Sequence, residues 1–498
     1  VRVSVISIVP SVLRAVLRAV LCCGPAGVRT TMRMATDQPY AEPTIDEGLP
    51  GVPSAVPDVP SLAGVPRRTA LRTAAPIGVH AGVDFIAFAT VSLIPLLKTK
   101  LGLEPWQIAL MLGLNPLCSG IVQPLVAYLS DRHDHRWLGT AGIVLAGVSI
   151  GGVGLVEHYW QLVTLFLLGM IGVGAFHPPA AAATGQLAGP RFRGTLLGVF
   201  FLMGMVGGMG GNVLTPRLIG FAAGGTTEAQ IDAGLRWMLL LAPFSVVLAI
   251  VIGKAIHGIP HRPANAHADH AALPREEQRR RWRAVGLLDF CNVIRFTVNN
   301  ALIYLFSAWA AVVATSRAQA GATEEGISVD ASVFNGLLQA AQQFGAGVGG
   351  IVLGAIVGSK LGQRIEKPLF VVVPMLGAAA AMLFPRIEAL DEAAGPAVAS
   401  AAAIAASAVA GVGFGGLIPL SMSTAQRLLP HRAMLATGMM LGGAWCFAFT
   451  GPIIAERIHT AEWGGLANGF IAAGAALAFA GVLAMLLDRK LLAESAGR

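Results

Sequence analysis

Residues 172–198 read GVGAFHPPAAAATGQLAGPRFRGTLLG, and residues 411–438 read GVGFGGLIPLSMSTAQRLLPHRAMLATG. Both stretches begin with Gly-Val-Gly and continue with a glutamine, a proline and a glycine. In each copy three residues separate the glutamine from the proline, and seven separate the proline from the glycine. We interpret the two stretches as equivalent parts of a helical unit that was duplicated in parallel orientation.

The composition around this repeat excludes a soluble domain. The chain has 498 residues, of which 55% are hydrophobic and only 12% charged, against roughly 25% charged in soluble domains. Crossing a bilayer takes about 20 apolar residues, and such runs recur from Ile77 to Leu487. The sequence therefore predicts an all-α integral membrane protein with twelve transmembrane helices in two six-helix bundles. The expected spans are 77–97, 106–129, 137–156, 160–183, 195–217, 235–255, 285–310, 333–358, 368–385, 396–420, 433–455 and 465–487.

The polar stretches divide the chain into five segments. We expect an N-terminal tail, a first six-helix bundle, a cytoplasmic linker, a second bundle and a C-terminal tail, at 1–75, 76–257, 258–284, 285–487 and 488–498. The tail begins at Val1 and has its first methionine at Met32. A gene start assigned too far upstream explains this, and an interfacial targeting helix is the alternative. Whether residues 1–31 belong to the mature protein stays open.

The distribution of charge predicts the orientation in the membrane. With both termini inside, the inner loops hold sixteen Lys and Arg and six acids, whereas the outer loops hold seven and twelve. This asymmetry favours a multi-pass protein of the cytoplasmic (inner) membrane with both termini cytoplasmic. The formal net charge of +8 is then explained by membrane loops, so the lipid bilayer is the expected partner and nucleic acid is not.

Several short motifs resemble a known family of transporters. Residues 127–136, AYLSDRHDHR, follow the second span and look like the signature loop Gly-x-x-x-Asp-Arg-x-Gly-Arg-Arg of the major facilitator superfamily, and residues 359–364 look like a weaker copy. Residues 172–179, GVGAFHPP, together with Gln123-Pro124 and His80-x-x-x-Asp84, most resemble the superfamily's fosmidomycin-resistance branch. The resemblance implies the major facilitator fold and transport by alternating access.

The resemblance also implies a gating role for the loop after the second span. In the superfamily the aspartate of this loop docks against the start of the eleventh span, so we assign gating to Asp131, Arg132 and Arg136. A carboxylate at a helix N-terminus is electrostatically favourable, which fits such a latch. The alternative is a solvated turn that only sets the orientation.

Three charges remain at membrane depth after the tails, loops and span ends are removed: Asp84, Asp289 and Arg295. Such charges are costly unless they are paired or face water. Asp84 follows His80 by four residues, so the two share a helix face, and Arg295 and Asn299 are spaced in the same way. In the implied fold both helices line the central cavity.

We expect Asp84 to carry the coupling proton, with His80 tuning its proton affinity. Arg295, Asn299 and Asp289 would line the substrate cavity, with Arg295 as a counter-ion or anion-binding group. The alternatives are a structural pair between Asp84 and Arg295 and an interfacial position for Asp289.

Two further features concern the fourth and fifth spans. His177 precedes Pro178-Pro179 in an apolar run, which favours a cavity-lining substrate or proton site, although a packed histidine bonded to a nearby carbonyl is the alternative. The fifth span carries many glycines and partly resembles an antiporter motif. Close helix packing explains those glycines without antiport.

The remaining motifs argue against catalysis. The sequence has no P-loop, zinc-protease or nucleophile-elbow pattern, and its histidines and five cysteines match no metal template, so we expect no enzyme, cofactor or metal. The predicted function is secondary active transport of a small molecule, as proton-coupled efflux by a monomeric antiporter. Proton-coupled uptake and a non-transporting sensor or scaffold with the same fold are the alternatives.

Overall fold

The computed structural model describes residues 67–132, 137–187, 189–257, 274–358, 362–429, 432–462 and 464–495. These ranges belong to one compact unit and contain helices without a β-strand. Most of the expected N-terminal tail, up to residue 66, and most of the expected linker, 258–273, lie outside the described residues.

The described part of the first half of the chain forms a series of eight helices. They are α1 (Arg67–Ser92), α2 (Ile94–Leu101), α3 (Pro105–Arg132), α4 (Trp137–Gly152), α5 (Tyr159–Leu187), α6 (Gly189–Ala223), α7 (Glu228–Leu235) and α8 (Leu241–Ile256). Short 3-10 turns at Val153–Leu155 and Arg236–Leu240 follow α4 and precede α8.

The second half begins with a helix of 42 residues. Its helices are α9 (Arg275–Ser316), α10 (Glu324–Gly358), α11 (Gly362–Met382), α12 (Phe384–Ala394), α13 (Pro396–Gly415), α14 (Ile418–Leu428), α15 (Ala433–Gly438), α16 (Ala444–Phe447), α17 (Thr450–Thr460), α18 (Leu466–Ala484) and α19 (Arg489–Ser495). A π-helical turn, Met439–Gly443, joins α15 to α16.

All twelve expected spans fall on helices of the structure. Eleven spans of the described chain are long and apolar enough to cross a membrane. The other expected span, 333–358, lies on α10, which has 35 residues but carries amide side chains in its interior. The predicted all-α membrane architecture is therefore confirmed, and most helices extend beyond their apolar cores.

Several spans are broken where proline removes a backbone donor. The first span divides at Leu93, just before Pro95, and the tenth divides at Leu417, just before Pro419. The eleventh span contains the π-helical turn and a second break before α17. Broken helices expose backbone groups inside a membrane protein, and such groups persist only where protein or a cavity satisfies them.

Hydrogen bonds join the two halves at the end of the bundle where the first span, α1 and α2, ends. We call this end the far end. Asn335 on α10 donates its amide to the carbonyl of Val91 at 3.0 Å, and the Leu96 amide donates to the Ser332 hydroxyl at 3.1 Å. The Thr323 hydroxyl donates to the Thr226 carbonyl at 3.1 Å. The far end is therefore held together by direct contacts between the halves.

Candidate functional site

The site is built around His80, which lies in the middle of α1 with only 2% of its surface exposed. Its Nδ1 atom lies 2.7 Å from the backbone carbonyl oxygen of Phe200 on α6. A carbonyl can only accept, so Nδ1 carries the hydrogen and Nε2 has a free lone pair when the ring is neutral. The Phe200 ring stacks on the imidazole with centroids 3.9 Å apart, which fixes the ring plane.

Two further groups converge on the Nε2 atom of His80. Asp84, one turn later on α1, places Oδ2 3.4 Å from it. His177 on α5 places its own Nε2 3.1 Å from the same atom and 3.5 Å from Asp84 Oδ1. The side chains of His177 and Asp84 are 22% and 14% exposed, so they offer routes by which the cluster can exchange a proton.

The orientation of His177 repeats that of His80. Its Nδ1 lies 2.7 Å from the Val173 carbonyl in the preceding turn of α5, so this ring also donates from Nδ1 and leaves Nε2 unprotonated when neutral. Both alternatives of the sequence analysis describe part of this geometry, because His177 bonds a carbonyl of its own helix and also contacts other ionisable groups. Pro178 and Pro179 lie within α5, which continues to Leu187.

The three groups form an acceptor-rich cluster, which we call the His-Asp-His cluster (His80, Asp84 and His177). Two facing imidazole lone pairs and a carboxylate repel one another unless a positive charge lies among them. A proton shared between the two Nε2 atoms supplies that charge and makes the 3.1 Å contact a hydrogen bond. The cluster can therefore bind a proton between the two rings.

The same three groups are also the ones in the described ranges that could hold a metal ion. Zn²⁺ binds nitrogen and oxygen ligands at about 2.0–2.1 Å, so neighbouring ligand atoms of a tetrahedron lie roughly 3.3–3.4 Å apart. The separations of 3.1, 3.4 and 3.5 Å in the cluster are close to that value. The backbone carbonyls on both Nδ1 atoms are typical outer-shell partners of metal-binding histidines. A tightly binding metal is thus the chemical competitor of the proton at this site.

Glycines of α6 allow the cluster to form. A Cβ atom at Gly204 would lie 2.5 Å from His80 Cε1 and 2.6 Å from Asp84 Oδ2, so any side chain there would collide with the pair. Gly207 and Gly211, on the same face of α6, contact the backbone of α1 at Ala81 and Phe85. These contacts support the packing interpretation of the glycine-rich span.

The other predicted cavity residues lie apart from the cluster. Arg295 on α9 donates to Asn292 of its own helix, and no ion pair between Arg295 and Asp84 occurs among the described residues. The structural pair considered above is therefore not the arrangement observed. Asp289 has a buried Oδ1 atom without a hydrogen-bond partner in the described chain. Asn299 lies one turn beyond Arg295 and is 8% exposed.

The predicted gating residues are only partly described. Asp131 and Arg132 are the last two residues of α3, and Arg136 lies outside the described residues. The docking of this loop stays a prediction.

Sequence reasoning missed a group of buried amides on α10. Asn335, Gln339, Gln342 and Gln343 are each at most 8% exposed. Gln343 accepts a hydrogen bond from Asn212 of α6 at 3.4 Å, which joins the halves in the middle of the bundle. Their spacing of four, three and one residues places them on one side of the helix. The spacing of these amides in the sequence is the signal that could have located them.

Comparisons with known proteins agree with this architecture. The sequence model of the Major Facilitator Superfamily matches residues 78–432. A relative from Escherichia coli (strain K12), named 3-(3-hydroxy-phenyl)propionate transporter, is 25% identical over 197 residues. That match covers 34% of this chain and spans less than half, 45%, of the relative.

Solved transporter structures share the fold over nearly their whole length. A bacterial homolog of the human lysosomal transporter Spinster superposes with a TM-score of 0.59 at 13% identity, covering 87% of this chain and 98% of the other. The nucleoside transporter NupG gives 0.61 at 12% identity, covering 85% and 100%. A POT family transporter in complex with 5-aminolevulinic acid gives 0.62 at 11% identity, covering 86% and 98%. Sequence identities this low show only that the fold is shared. The shared fold confirms the predicted fold class.

Proposed function

This chain belongs to the major facilitator superfamily, and we propose that it is a secondary active transporter that couples solute movement to protons through the His-Asp-His cluster. Membership of the family supports membrane transport. The observation that carries the coupling proposal is the 3.1 Å contact between two Nε2 atoms that are both acceptors in the neutral rings, beside a carboxylate. Such a contact is favourable with a proton bound and unfavourable without one.

The cluster links proton binding to helix arrangement. His80 and Asp84 belong to α1, His177 belongs to α5, and the Phe200 carbonyl of α6 holds His80. Losing the proton leaves three acceptors facing one another, which favours separation of α1 from α5. A proton that changes the balance between two arrangements of these helices provides coupling by population shift.

Alternating access requires that one end of the bundle open while the other closes. The bonds from Asn335 to Val91 and from Leu96 to Ser332 support a state closed at the far end. The broken first, tenth and eleventh spans provide backbone joints for such a change.

We propose efflux as the direction and the fosmidomycin-resistance branch as the subgroup, on residues 172–179, Gln123-Pro124 and the His80 to Asp84 spacing. Proton-coupled uptake is the second candidate. The partial relative is named as a transporter of an aromatic acid, so small organic acids are the first solutes to test. Growth assays separate the directions, because expression raises tolerance to a toxic solute under efflux and raises sensitivity under uptake.

We also propose the cellular location and the membrane orientation of the protein from the distribution of charge in its loops. Both termini would be cytoplasmic in the inner membrane, with a monomer built from bundles 76–257 and 285–487. A fluorescent fusion after Arg498 should then fluoresce in the cytoplasm, and a periplasmic phosphatase fusion at the same place should stay inactive. Asp131 and Arg132 would latch the cytoplasmic side, so Asp131→Asn should slow transport while leaving equilibrium binding of the solute nearly unchanged.

The function is tested with purified protein in liposomes that contain a pH dye. Small acids and antibiotics are added singly, and proton movement that depends on one of them supports a coupled carrier. If radiolabelled solute enters the liposomes and no proton movement accompanies it, the carrier is uncoupled. Neither signal with any compound would favour the sensor or scaffold.

The same liposomes test whether the His-Asp-His cluster binds a metal ion in place of the proton. Zn²⁺ or a chelator is added to both sides before the solute. If proton movement appears only after chelation, a bound metal blocks the proton site. If it appears only with Zn²⁺ present, the cluster works as a metal site and the proton proposal fails.

A further inference from the structure

Arg295 is a buried cation whose charge nothing in the described chain neutralises. Its side chain is 2% exposed, and one guanidinium nitrogen, Nη2, donates to Asn292 Oδ1. The other two nitrogens, Nε and Nη1, are buried without a hydrogen-bond partner among the described residues. No carboxylate lies within salt-bridge distance of it in that part of the chain.

Asp289, the other charged side chain within the same span, does not neutralise the charge of Arg295. Its Oδ1 atom is also buried without a partner, although the two residues lie only six positions apart on α9. An arginine stays protonated in proteins, and an unpaired charge in a membrane interior is strongly unfavourable. Such residues are typical of functional sites rather than of packing.

The guanidinium is held by a framework of hydrogen bonds. Asn292, which accepts from Arg295, donates its amide to the Ser421 hydroxyl at 3.2 Å and to the Met440 carbonyl at 3.1 Å. Met440 lies in the π-helical turn Met439–Gly443, and such turns are frequent at functional sites. Three segments, α9, α14 and this turn, thus fix the position of one arginine, as a preorganised binding group requires.

The residue that follows Arg295 lies where the halves of the chain meet. Phe296, the next residue, packs edge to face on Trp445 with ring centroids 5.2 Å apart. The Trp445 indole donates to the Ser119 hydroxyl of α3 at 2.9 Å, so this corner of α9 is joined to the first half. An aromatic contact that bridges the halves therefore lies one position after Arg295 on α9.

We propose that Arg295 binds the anionic group of the transported solute, a carboxylate, through a charge-assisted hydrogen bond from one of its two donors left free in the described chain, Nε or Nη1. The Nε–H and Nη1–H bonds point to different sides of the guanidinium, and either can donate to one oxygen of such a group. The neutral amide of Asn299, one turn further along α9, is placed to contact the uncharged part of the solute. This inference rests on the proposed transport function and names its substrate class.

The first test needs no knowledge of the solute. Arg295→Met removes the unpaired charge at similar length, so the melting temperature of the detergent-purified full chain should stay the same or rise. The matched control is Arg317→Met, because Arg317 forms a two-point salt bridge with Asp391 at 2.9 and 3.0 Å and should lose stability. A fall in the Arg295→Met variant as large as that of the control would overturn the proposal, because it would indicate a structural arginine.

The second test uses anions and their neutral counterparts. Benzoate, octanoate and phenylphosphonate are compared with benzamide, octanamide and chloride in thermal-shift measurements on the unmodified protein. At least one organic anion should stabilise it, and Arg295→Met should raise the half-saturating concentration roughly 10- to 100-fold, the value of a hydrogen-bonded charge pair. Arg295→Lys should bind more weakly than the unmodified protein but better than the Met variant.

Three results would contradict the anion site. They are stabilisation by none of the organic anions, equal stabilisation by benzamide or chloride, and an unchanged half-saturating concentration in Arg295→Met. None of these results would contradict proton coupling, because solute-dependent proton movement that requires Asp84 would persist. Conversely, loss of coupling with intact anion binding would leave Arg295 as the site and remove the coupling proposal.

Discussion

The Nε2 atoms of His80 and His177 lie 3.1 Å apart, and each ring directs its Nδ1 hydrogen to a backbone carbonyl at 2.7 Å. These carbonyls determine which nitrogen of each ring faces the partner. Because both facing nitrogens are acceptors in the neutral rings, the pair has a favourable contact only with a positive charge between them. Asp84, 3.4 Å from His80 and 3.5 Å from His177, adds a negative charge that attracts it.

Gly204→Ala should disrupt the cluster. Its added methyl group would lie 2.5 Å from His80 and 2.6 Å from Asp84, so these side chains must move apart. We expect loss of most proton-coupled transport with a modest fall in melting temperature. The control is Gly198→Ala on the same helix, where a Cβ meets nothing within 4 Å. Equal transport by the two variants would show that the cluster geometry is unimportant.

A cysteine at position 177 should react with a small membrane-permeant thiol reagent in a background lacking the five native cysteines. The reason is the 22% exposure of the His177 side chain, against 2% for His80. His80→Cys is therefore the matched control and should react much more slowly. Mass spectrometry of the labelled protein measures both. Similar rates at the two positions would contradict the described access route.

Asn335→Ala should loosen the far end of the bundle. It removes the amide that donates to Val91 and leaves that carbonyl without this partner between the halves. We expect the far end to open more often, which an increased labelling rate of a cysteine placed at Leu96 would report. Ser328→Ala serves as control, since that hydroxyl bonds only within α10, to Glu325 at 2.7 Å. A labelling rate no higher than in the control would count against a far-end closure.

Arg427→Ala should destabilise the second half of the chain. Arg427 pairs with Glu366, a carboxylate that is 2% exposed and also accepts from the Thr424 hydroxyl at 2.6 Å. Breaking a buried pair strands the remaining charge, which costs about 3–5 kcal/mol. Denaturant unfolding in detergent should detect the loss, and Arg489→Ala on the exposed face of α19 should change little. Equal stability of both variants would mean that Glu366 finds another partner.

The positions of the helices, and the placement of His80 and Asp84 on one face of α1, could be predicted from the sequence. Apolar runs of bilayer length account for eleven spans of the described chain, and the four-residue spacing placed His80 and Asp84 together on α1. The breaks at Leu93 and Leu417 follow from the prolines that come two residues later.

The third member of the cluster could not be located from local pattern. His177 is 93 residues from Asp84, and their contact depends on how α5 packs against α1. Close packing of α1 depends in turn on glycines of α6, whose sequence only indicated tight helix contacts. The alternative of a structural pair between Asp84 and Arg295 came from the helix positions that the resemblance implies, whereas the side-chain partners are set by which groups can reach each other.

The most direct test of proton coupling compares Asp84→Asn with unmodified protein in liposomes loaded with a transported solute. Solute exchange across the membrane needs no net proton movement, so the variant should retain it. Accumulation driven by a pH gradient requires the proton, so the variant should lose it, while Asp330→Asn, at an exposed position of α10, should retain both. Gradient-driven accumulation by Asp84→Asn at the level of the unmodified protein would contradict the account.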